Sequence, residues 1–498
     1  MAISNIGKGA IISYVAIFLN IAISFLYTPW MLKQIGTSDY GLYSLILSFI
    51  SYFTLDFGLS FSIARFITKY RASGEDYKVE NVMGIALKMF LLLDAVILLC
   101  LFVSYFFIAE IFTGLTPDEI DRLKVLYIIA STFSVLSFLL KPLDGALTAY
   151  EYFVPSKLID MTYKVGSVFL VVIALLLGGN IFILVLINSA LLFLVHLYKF
   201  YYWHCKTKLT PNLKHNDSKE RREILSFSGW TFLISMAHRF RINLIPSVLG
   251  IFSNSEQIAI FALGTVMQNM SWTLSSALNG LLFPKVTRLS QENNTDALQD
   301  LLIRVGRIQL FIVFFIYTSF LVCGKLFVRL WVGETFSDVY YIVLFLTFAN
   351  IIENTLRVAE DKIYADGKIR YMSRVVFSTS LIGILLSCMF AGRYGALGCS
   401  ICSGIALLLT HICYLHVYKK RVKINVVHFL KECHLKILPI LSIVALIGLS
   451  IISNLHVQSW FGLMTAASVY AVIFAVISYK FLFNDYEKSL LKSVLKIR

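Results

Sequence analysis

Apolar stretches long enough to cross a membrane recur along the whole 498-residue chain. A helix of about 20 residues spans the ~30 Å hydrocarbon core of a bilayer, and the pattern predicts about fourteen such helices. We number them spans 1 to 14, with expected ranges 8–32, 40–66, 82–108, 123–146, 157–177, 180–203, 224–250, 256–282, 304–324, 338–360, 371–391, 395–418, 435–453 and 459–482. The chain is therefore predicted to be an all-α polytopic membrane protein.

The composition agrees with this class. Hydrophobic residues make up 58% of the chain and charged residues only 15%, with a mean hydropathy of +0.77. In soluble globular domains about 25% of residues are charged. The formal net charge is +15, which on its own suggests a nucleic-acid partner, so the position of the charges has to be considered.

The basic residues lie mostly in the loops on one side of the predicted helices. That side holds 33 of the 44 Lys and Arg. The opposite loops hold six, which are Lys33, Arg122, Lys124, Lys325, Arg329 and Arg393. Since cytoplasmic loops carry the excess of Lys and Arg, both termini are predicted to be cytoplasmic. The charge then reflects membrane orientation, and no nucleic-acid partner is expected.

A polar, basic segment separates spans 1 to 6 from spans 7 to 12, and spans 13 and 14 follow. Pro29 in span 1 and Pro246 in span 7 occupy equivalent places and indicate a repeat in the same orientation. Parallel repeats are a known transporter architecture, with the substrate site at their interface. The expected organisation is an N-terminal lobe at 1–203, a cytoplasmic linker at 204–223, a C-terminal lobe at 224–418, two extra helices at 435–482 and a basic cytoplasmic tail at 483–498.

The centre of span 7 carries three basic side chains, His238, Arg239 and Arg241. An Arg at the bilayer centre costs about 2.5–3.5 kcal/mol, so such residues face a watery interior and meet an anion. In a regular helix the two arginines point about 200° apart and cannot both face one ligand. We therefore expect a negatively charged ligand at one arginine and a carboxylate at the other.

Other polar residues within spans recur at helical spacing and define stripes. Ser, Thr and Asn on such stripes also join helices, at about 0.6 kcal/mol per hydrogen bond, and this explanation stays open for the serines. Full charges are not needed for that purpose, which favours a functional role for Asp56, Asp94 and Glu353. The ligand-facing candidates are Tyr52 on span 2, Gln268, Asn269 and Trp272 on span 8, and Asn350 and Asn354 on span 10.

Several function classes are not indicated. The chain has no G-x-x-x-x-G-K-[ST] loop and no soluble segment large enough for an ATPase. Cys399-x-x-Cys402 lies in an apolar span without a second pair, so no metal site is expected. The predicted outward loops are short, which argues against a catalytic domain and an enzyme. Transport would then draw on a gradient.

Four segments resemble a known family. In order along the chain, they are Thr28-Pro-Trp-Met-Leu-Lys-Gln-Ile-Gly36 with Tyr40-Gly-Leu-Tyr43, Leu55-Asp-Phe-Gly-Leu59 with Arg65, Gly145-Ala-Leu-Thr-Ala-Tyr-Glu-Tyr-Phe153, and Phe327-Val-Arg-Leu-Trp-Val-Gly333 with Phe336. Together they resemble the Wzx-type polysaccharide flippases of the multidrug/oligosaccharidyl-lipid/polysaccharide (MOP) exporter superfamily. The resemblance covers most of the chain and is strongest in the first 160 residues.

The resemblance implies two pseudo-symmetric six-helix lobes of the MATE type around a central cavity, followed by two further helices. It implies a flippase that moves undecaprenyl-diphosphate-linked oligosaccharide repeat units, for O-antigen or capsule, across the bacterial inner membrane by alternating access. Membrane lipids and a polymerase or chain-length protein would be its partners.

The same resemblance implies roles for the candidate residues. Arg239 or Arg241, with His238, would bind the diphosphate, and the polar stripes would bind the sugars. No cofactor is expected; H⁺ or Na⁺ would serve as a coupling ion, taken up by Asp56 as first choice. Span 7 departs from the family in one respect, because an acidic residue is expected where Arg239 and Arg241 stand. This departure argues against coupling by a carboxylate of the second lobe.

Two other functions remain open. A MATE-type multidrug or cation antiporter would share the fold, but it should have acidic cavity walls. A membrane polymerase or ligase acting on lipid-linked sugars would need a large outward loop with paired acids. The outward acidic residues are expected to lie in a solvated loop, and they are Glu110, Asp118, Glu119 and Asp121.

Overall fold

The computed structural model describes residues 5–54, 58–215, 217–275, 282–292, 294–366, 368–454 and 458–495. These residues form helices, turns and loops and contain no strand. Among them, eight helices are long and apolar enough to cross a bilayer, or nine if one bent pair forms a single span. The prediction of an all-α polytopic membrane protein is confirmed, whereas the count of fourteen stays a prediction.

The chain divides into two compact units. Met1–Ala262 with Ile384–Cys399 form the first unit, and Leu263–Gly383 with Ser400–Arg498 form the second. The helices up to residue 275 are α1 (Asn5–Ile35), α2 (Thr37–Phe53), α3 (Leu59–Ala72), α4 (Asp76–Phe106), α5 (Ile108–Ile111), α6 (Pro117–Phe138), α7 (Pro142–Ala149), α8 (Phe153–Leu176), α9 (Ile181–Thr207), α10 (Ser218–Phe252) and α11 (Ser255–Ser275).

The remaining helices are α12 (Phe283–Gln291), α13 (Thr295–Val332), α14 (Asp338–Phe348), α15 (Asn350–Thr355), α16 (Arg357–Ala365), α17 (Ile369–Val417), α18 (Val426–Leu430), α19 (Lys436–Asn454), α20 (Trp460–Ile477) and α21 (Asp485–Leu495). The helix α10 is not among the eight apolar helices, although its 35 residues are enough to cross a bilayer. Its polar and charged residues set it apart from the lipid-facing helices.

Three spans predicted as continuous helices are interrupted. In span 2, α2 ends at Phe53 and α3 begins at Leu59, after Gly58 with a left-handed φ of 70° that glycine adopts without strain. The polar stripe predicted along span 2 is therefore not one helical face, and Asp56 lies outside the described residues. Span 4 bends by 41° between α6 and α7, where Pro142 starts the second helix. Span 10 is divided into α14, α15 and α16.

Spans 11 and 12 form α17, whose backbone leaves the helical region at Gly395 (φ 52°, ψ −139°). A Cβ at this position would overlap the side chain of Gln257. The Gln257 Oε1 accepts a hydrogen bond from the main-chain N–H of Ala396 at 2.8 Å. Glycine is favoured here because the positive φ strains any other residue, and a Cβ would also displace the Gln257 side chain.

In the second unit, a buried ion pair anchors the C-terminal helix. The Arg307 guanidinium on α13 donates to both carboxylate oxygens of Glu487 on α21, at 2.6 and 3.0 Å. It also donates to the carbonyl oxygens of Glu432 and Leu482, at 2.9 and 2.7 Å. The side chains of Arg307 and Glu487 are 7% and 3% exposed. The segment expected as a basic tail thus contains a docked helix.

Candidate functional site

A polar seam joins α2 to α10 in the first unit. The Tyr52 hydroxyl donates to the main-chain carbonyl of Asn243 at 2.5 Å and lies 2.8 Å from Ser247 Oγ. The Asn243 Nδ2 donates to Ser51 Oγ at 2.7 Å. Pro246 lacks the N–H that would donate to the carbonyl of Ile242, so this turn of α10 has one backbone hydrogen bond fewer.

The two arginines of α10 lie in different environments. Because α10 is continuous from Ser218 to Phe252, residues 239 and 241 are on different faces of the helix. The side chain of Arg239 is exposed, whereas Arg241 is 9% exposed and is enclosed by the protein. The side chain of His238 lies outside what the structure describes. Of the two arginines, Arg239 is therefore the one that is open to a ligand.

Arg239 is next to the seam in the sequence. Phe240 packs its ring edge against Tyr52, with 6.2 Å between the ring centroids. The seam thus fixes the rotation of α10 at the residue that follows Arg239. The sequence placed Tyr52 on a ligand-facing stripe, and in the structure its hydroxyl contacts α10. Ser51 and Ser247, which complete the seam, were not among the predicted site residues.

Asp94 lies near the middle of α4 and is buried, with 7% of its surface exposed. Within the described ranges, no group donates a hydrogen bond to its Oδ1 atom. An ionised carboxylate in such a place is costly unless it gains a cation or a proton. A proton or a small cation at Asp94 would lower the cost of burying its charge.

The second unit holds the other predicted carboxylate. Glu353 Oε2 on α15 lies 3.4 Å from His411 Nε2 on α17. One turn further, Arg357 pairs with Glu360 at 2.8 Å and with Asp361 at 3.3 Å. The sequence did not single out His411, because its distance from Glu353 along the chain gives no sign that the two residues meet.

The remaining candidates also belong to the second unit. Asn350 and Asn354 are buried, and Asn354 Nδ2 donates to the Asn350 carbonyl at 3.1 Å. On α11, Gln268 is buried, Trp272 is half-buried and Asn269 is exposed. Asn269 and Trp272 are thus the members of this set with accessible surface.

Several loops predicted to face outward meet in the first unit. A Cβ at Gly41 on α2 would overlap the carbonyl of Ser255 at the start of α11. A Cβ at Gly114 would overlap the carbonyl of Ser253, and the Gly114 N–H donates to the Gly250 carbonyl at 3.1 Å. We call these contacts, together with those of Glu119, the outer closure.

Glu119 corrects an expectation about the outward acidic residues. It was predicted to lie in a solvated loop, but it is 7% exposed. Glu119 and Thr116 form a capping box at the start of α6. The Glu119 Oε1 also accepts hydrogen bonds from the hydroxyls of Ser38, at 2.6 Å, and Ser255. One carboxylate therefore holds the beginnings of α2, α6 and α11 together.

Comparison with known sequences gives two matches. Residues 6–290 match the family model described as "Polysaccharide biosynthesis protein", which is more than half of the chain. The chain is also 18% identical over 219 residues to "Probable low-salt glycan biosynthesis flippase Agl15" of Haloferax volcanii. That alignment covers 44% of this chain and 46% of the relative, so the chain matches about half the length of this curated protein.

Solved membrane transporters share the fold. "Lipid II flippase MurJ, inward closed conformation" has a TM-score of 0.72 and 16% identity, over 96% of this chain and 100% of that chain. An inward-facing MATE family transporter of the MOP superfamily has a TM-score of 0.62 and 14% identity, over 81% and 98%. A MOP superfamily transporter from Pyrococcus furiosus has a TM-score of 0.57 and 14% identity, over 84% and 96%. These likenesses show that the chain has the same all-helical fold as these proteins.

Proposed function

We propose, since the chain belongs to the polysaccharide biosynthesis protein family, that it is a flippase for lipid-linked oligosaccharides. The cargo is an undecaprenyl-diphosphate-linked repeat unit of O-antigen or capsule, and the membrane is the bacterial inner membrane with both protein termini in the cytoplasm. Transport proceeds by alternating access and is coupled to H⁺ or Na⁺. A polymerase or chain-length protein receives the exported unit.

The observation that carries the proposal is the exposed guanidinium of Arg239 halfway along α10. A guanidinium at this depth is tolerated where it meets water and an anion. Its planar fork matches the oxygens of a phosphate and forms two parallel hydrogen bonds with it. We assign the diphosphate to Arg239. Arg241, being buried, has the role of positioning α10.

The sugars of the repeat unit require stacking and hydrogen-bonding groups. Trp272 and Asn269 on α11 have accessible surface and are assigned this role. Tyr52 has its hydroxyl bonded to α10, so we assign it to hold the Arg239 helix. The lipid tail stays in the bilayer because it is as apolar as the lipids around it.

Coupling is assigned to Asp94, which is buried in α4 and whose Oδ1 accepts no hydrogen bond from the described residues. Binding of H⁺ or Na⁺ would remove the cost of its charge. Glu353 already has His411 at 3.4 Å. Asp56, the first choice from the sequence, lies outside the described residues.

The outer closure supports the alternating-access part of the proposal. At Gly41 and Gly114 the backbones approach so closely that a Cβ would not fit. These contacts and the hydrogen bonds of Glu119 hold the predicted outward ends of α2, α6, α10 and α11 together. Release of cargo to the outside requires these contacts to part. A MATE-type antiporter for cationic drugs would share this motion, but Arg239 repels a cationic substrate.

The test compares the wild type with Arg239→Ala and Arg241→Ala in a host that lacks its own flippase. Lipid-linked repeat units are measured on each face of the inner membrane, at matched protein levels. We expect Arg239→Ala to leave the units on the cytoplasmic face. We expect Arg241→Ala to lower the amount of folded protein. Normal export by Arg239→Ala would overturn the assignment of the diphosphate.

A further inference from the structure

The second unit contains a basic cavity that the proposed flippase mechanism does not use. Its volume is about 490 Å³, and it lies between α12, α13, α16 and the segment after α17. The residues that give it its chemistry are Ser290, Lys362, Asp366, Lys368, Arg421 and Lys423. By the distribution of basic loops, this cavity is on the cytoplasmic side.

The cavity has an excess of positive charge. Its lining has four basic side chains and one carboxylate. Asp366 is shared by Lys362, at 3.1 Å, and Lys368, at 2.9 Å, so one negative charge compensates two positive ones incompletely. Arg421 and Lys423 have no carboxylate within 4.0 Å in the part of the chain that the structure describes.

Three of the four cations around the cavity are held in place by contacts with neighbouring groups. Arg421 lies over the ring of Tyr371, with 4.1 Å from the guanidinium carbon to the ring centroid. Lys368 Nζ donates to the Arg421 carbonyl at 3.2 Å, which fixes the main chain of that segment. The Ser290 hydroxyl bonds Asp366 at 2.5 Å and accepts from Lys362 at 2.8 Å. A preorganised set of cations loses little conformational entropy when it binds an anion.

The start of α13 adds to the same potential. Asn294 and Thr295 line the cavity, and Asn294 caps the helix by accepting from the Ala297 N–H at 3.0 Å. The N-terminus of a 38-residue helix carries a partial positive charge that favours an anion.

We infer that this cavity binds a phosphate group, as the head group of an anionic lipid or as a soluble phosphate ester. A volume of about 490 Å³ is in the range of small-molecule sites, about 300–1,000 Å³, and exceeds what one inorganic phosphate fills. Basic pockets on the cytoplasmic side of membrane helices are suited to phosphorylated lipid head groups. The inference is independent of the cargo and stands if the flippase proposal fails.

The test measures binding to the purified full-length protein in neutral detergent by native mass spectrometry. The lipid arm uses short-chain phosphatidylglycerol with phosphatidylcholine as reference, and the soluble arm uses glycerol 3-phosphate and inorganic phosphate. The cavity variant is Arg421→Gln with Lys423→Gln. The matched control is Lys419→Gln with Lys420→Gln, which removes the same charge from the same segment but not from the cavity lining.

We expect the cavity variant to weaken binding about 10- to 30-fold, because each Lys or Arg near an anionic head group contributes about a factor of five. The control should change binding by less than about threefold. A second variant, Asn294→Asp, keeps the helix cap but places a carboxylate in the lining, and it should weaken binding as well.

Preferential binding of phosphatidylglycerol supports a lipid site, and preferential binding of glycerol 3-phosphate supports a soluble ester. If the cavity variant and the control lose the same amount of binding affinity, the affinity comes from diffuse surface charge and the inference is overturned. Binding that is unchanged in both the cavity variant and Asn294→Asp would also overturn it.

Discussion

The Tyr52 hydroxyl donates a hydrogen bond to the main-chain carbonyl of Asn243, at 2.5 Å, and so ties α2 to the helix that carries Arg239. The bond lies one turn of α10 beyond Arg239, at a place where Pro246 removes a backbone donor. Because Phe240 also packs on the Tyr52 ring, this contact determines which face of α10 stays open. The orientation of the proposed phosphate-binding guanidinium thus depends on a residue of another helix.

The first prediction concerns this bond. Tyr52→Phe keeps the ring and removes the hydroxyl, so it should lower the stability by about 0.6–1.7 kcal/mol, the range for hydrogen bonds between membrane helices. The change is measured as a lower thermal unfolding temperature in detergent. The matched control is Tyr394→Phe, on an exposed side chain, which should be neutral. Equal effects of the two substitutions would show that the hydroxyl of Tyr52 does not hold α10.

A second prediction concerns the buried pair of Arg307 and Glu487. Glu487→Gln leaves the Arg307 charge buried without its counter-charge, and breaking such pairs costs about 3–5 kcal/mol. The control is Asp300→Asn, whose partner Arg304 is 3.7 Å away and whose own side chain is 70% exposed. That substitution should cost less than about 1 kcal/mol.

Thermal unfolding of the full-length protein in one detergent compares these variants. The double variant Arg307→Met with Glu487→Leu should be more stable than Glu487→Gln, because it removes both charges together. If Glu487→Gln unfolds no earlier than Asp300→Asn, α21 is not anchored by this pair.

A third prediction tests the outer closure. Gly41→Ala places a methyl group against the Ser255 carbonyl, so the backbone contact has to widen. We expect the fraction of molecules with an intact outer closure to be lower in Gly41→Ala than in the wild type. A cysteine at position 255, in a background without the eight native cysteines, should then react faster with a membrane-impermeant maleimide added from outside. The Ser255 side chain is 5% exposed in this structure, which should protect the cysteine in the closed state.

The control for this experiment is Gly166→Ala on α8, where a Cβ meets no atom within 4 Å. It should not change the labelling rate. If Gly41→Ala gives a folded protein with the same labelling rate as the control, the contact at Ser255 is not part of a closure.

A fourth prediction concerns acid stability at Asp366. Burial alone would raise the pKa of this carboxyl, but hydrogen bonds from Ser290, Lys368 and Lys362 outweigh it and hold the pKa below its ordinary value of 3.8. A lowered pKa in the folded state stabilises the protein above the unfolded-state pKa. This stabilisation is lost as the pH falls through the folded-state pKa.

Asp366→Asn should therefore unfold at a lower temperature than the wild type by an amount that is constant from about pH 7 to about pH 5. The difference should shrink only below about pH 4. If the difference in unfolding temperature already vanishes between about pH 7 and about pH 5, the pKa of the Asp366 carboxyl is raised in the folded state.

The sequence predicted the fold class because hydrophobicity alone identifies helices that cross a bilayer. It missed the interruptions in spans 2, 4 and 10, because such breaks depend on backbone angles, as at Gly58 in span 2, that hydrophobicity does not report. Helical spacing correctly separated the faces of Arg239 and Arg241. It did not reveal which one is exposed, since this depends on how Arg241 packs in the first unit.

Long-range polar contacts account for the other difference. Glu119 was taken for a solvated residue because its hydrogen-bond partners Ser38 and Ser255 are 81 and 136 positions away along the chain. Periodicity describes one helix at a time and contains no information on such meetings. The polar seam, the outer closure and the basic cavity could therefore be recognised only in the structure.

The most direct test of the account uses purified protein in liposomes that contain a fluorescent undecaprenyl-diphosphate oligosaccharide. The measured quantity is the rate at which the label moves between leaflets, for the wild type, Arg239→Gln and the control Arg393→Gln, an exposed arginine of α17. We predict rapid movement with the wild type and the control, and a rate at least about tenfold lower with Arg239→Gln, as for loss of a charge-assisted phosphate contact. Equal rates for wild type and Arg239→Gln, or a wild type no faster than empty liposomes, would contradict the account.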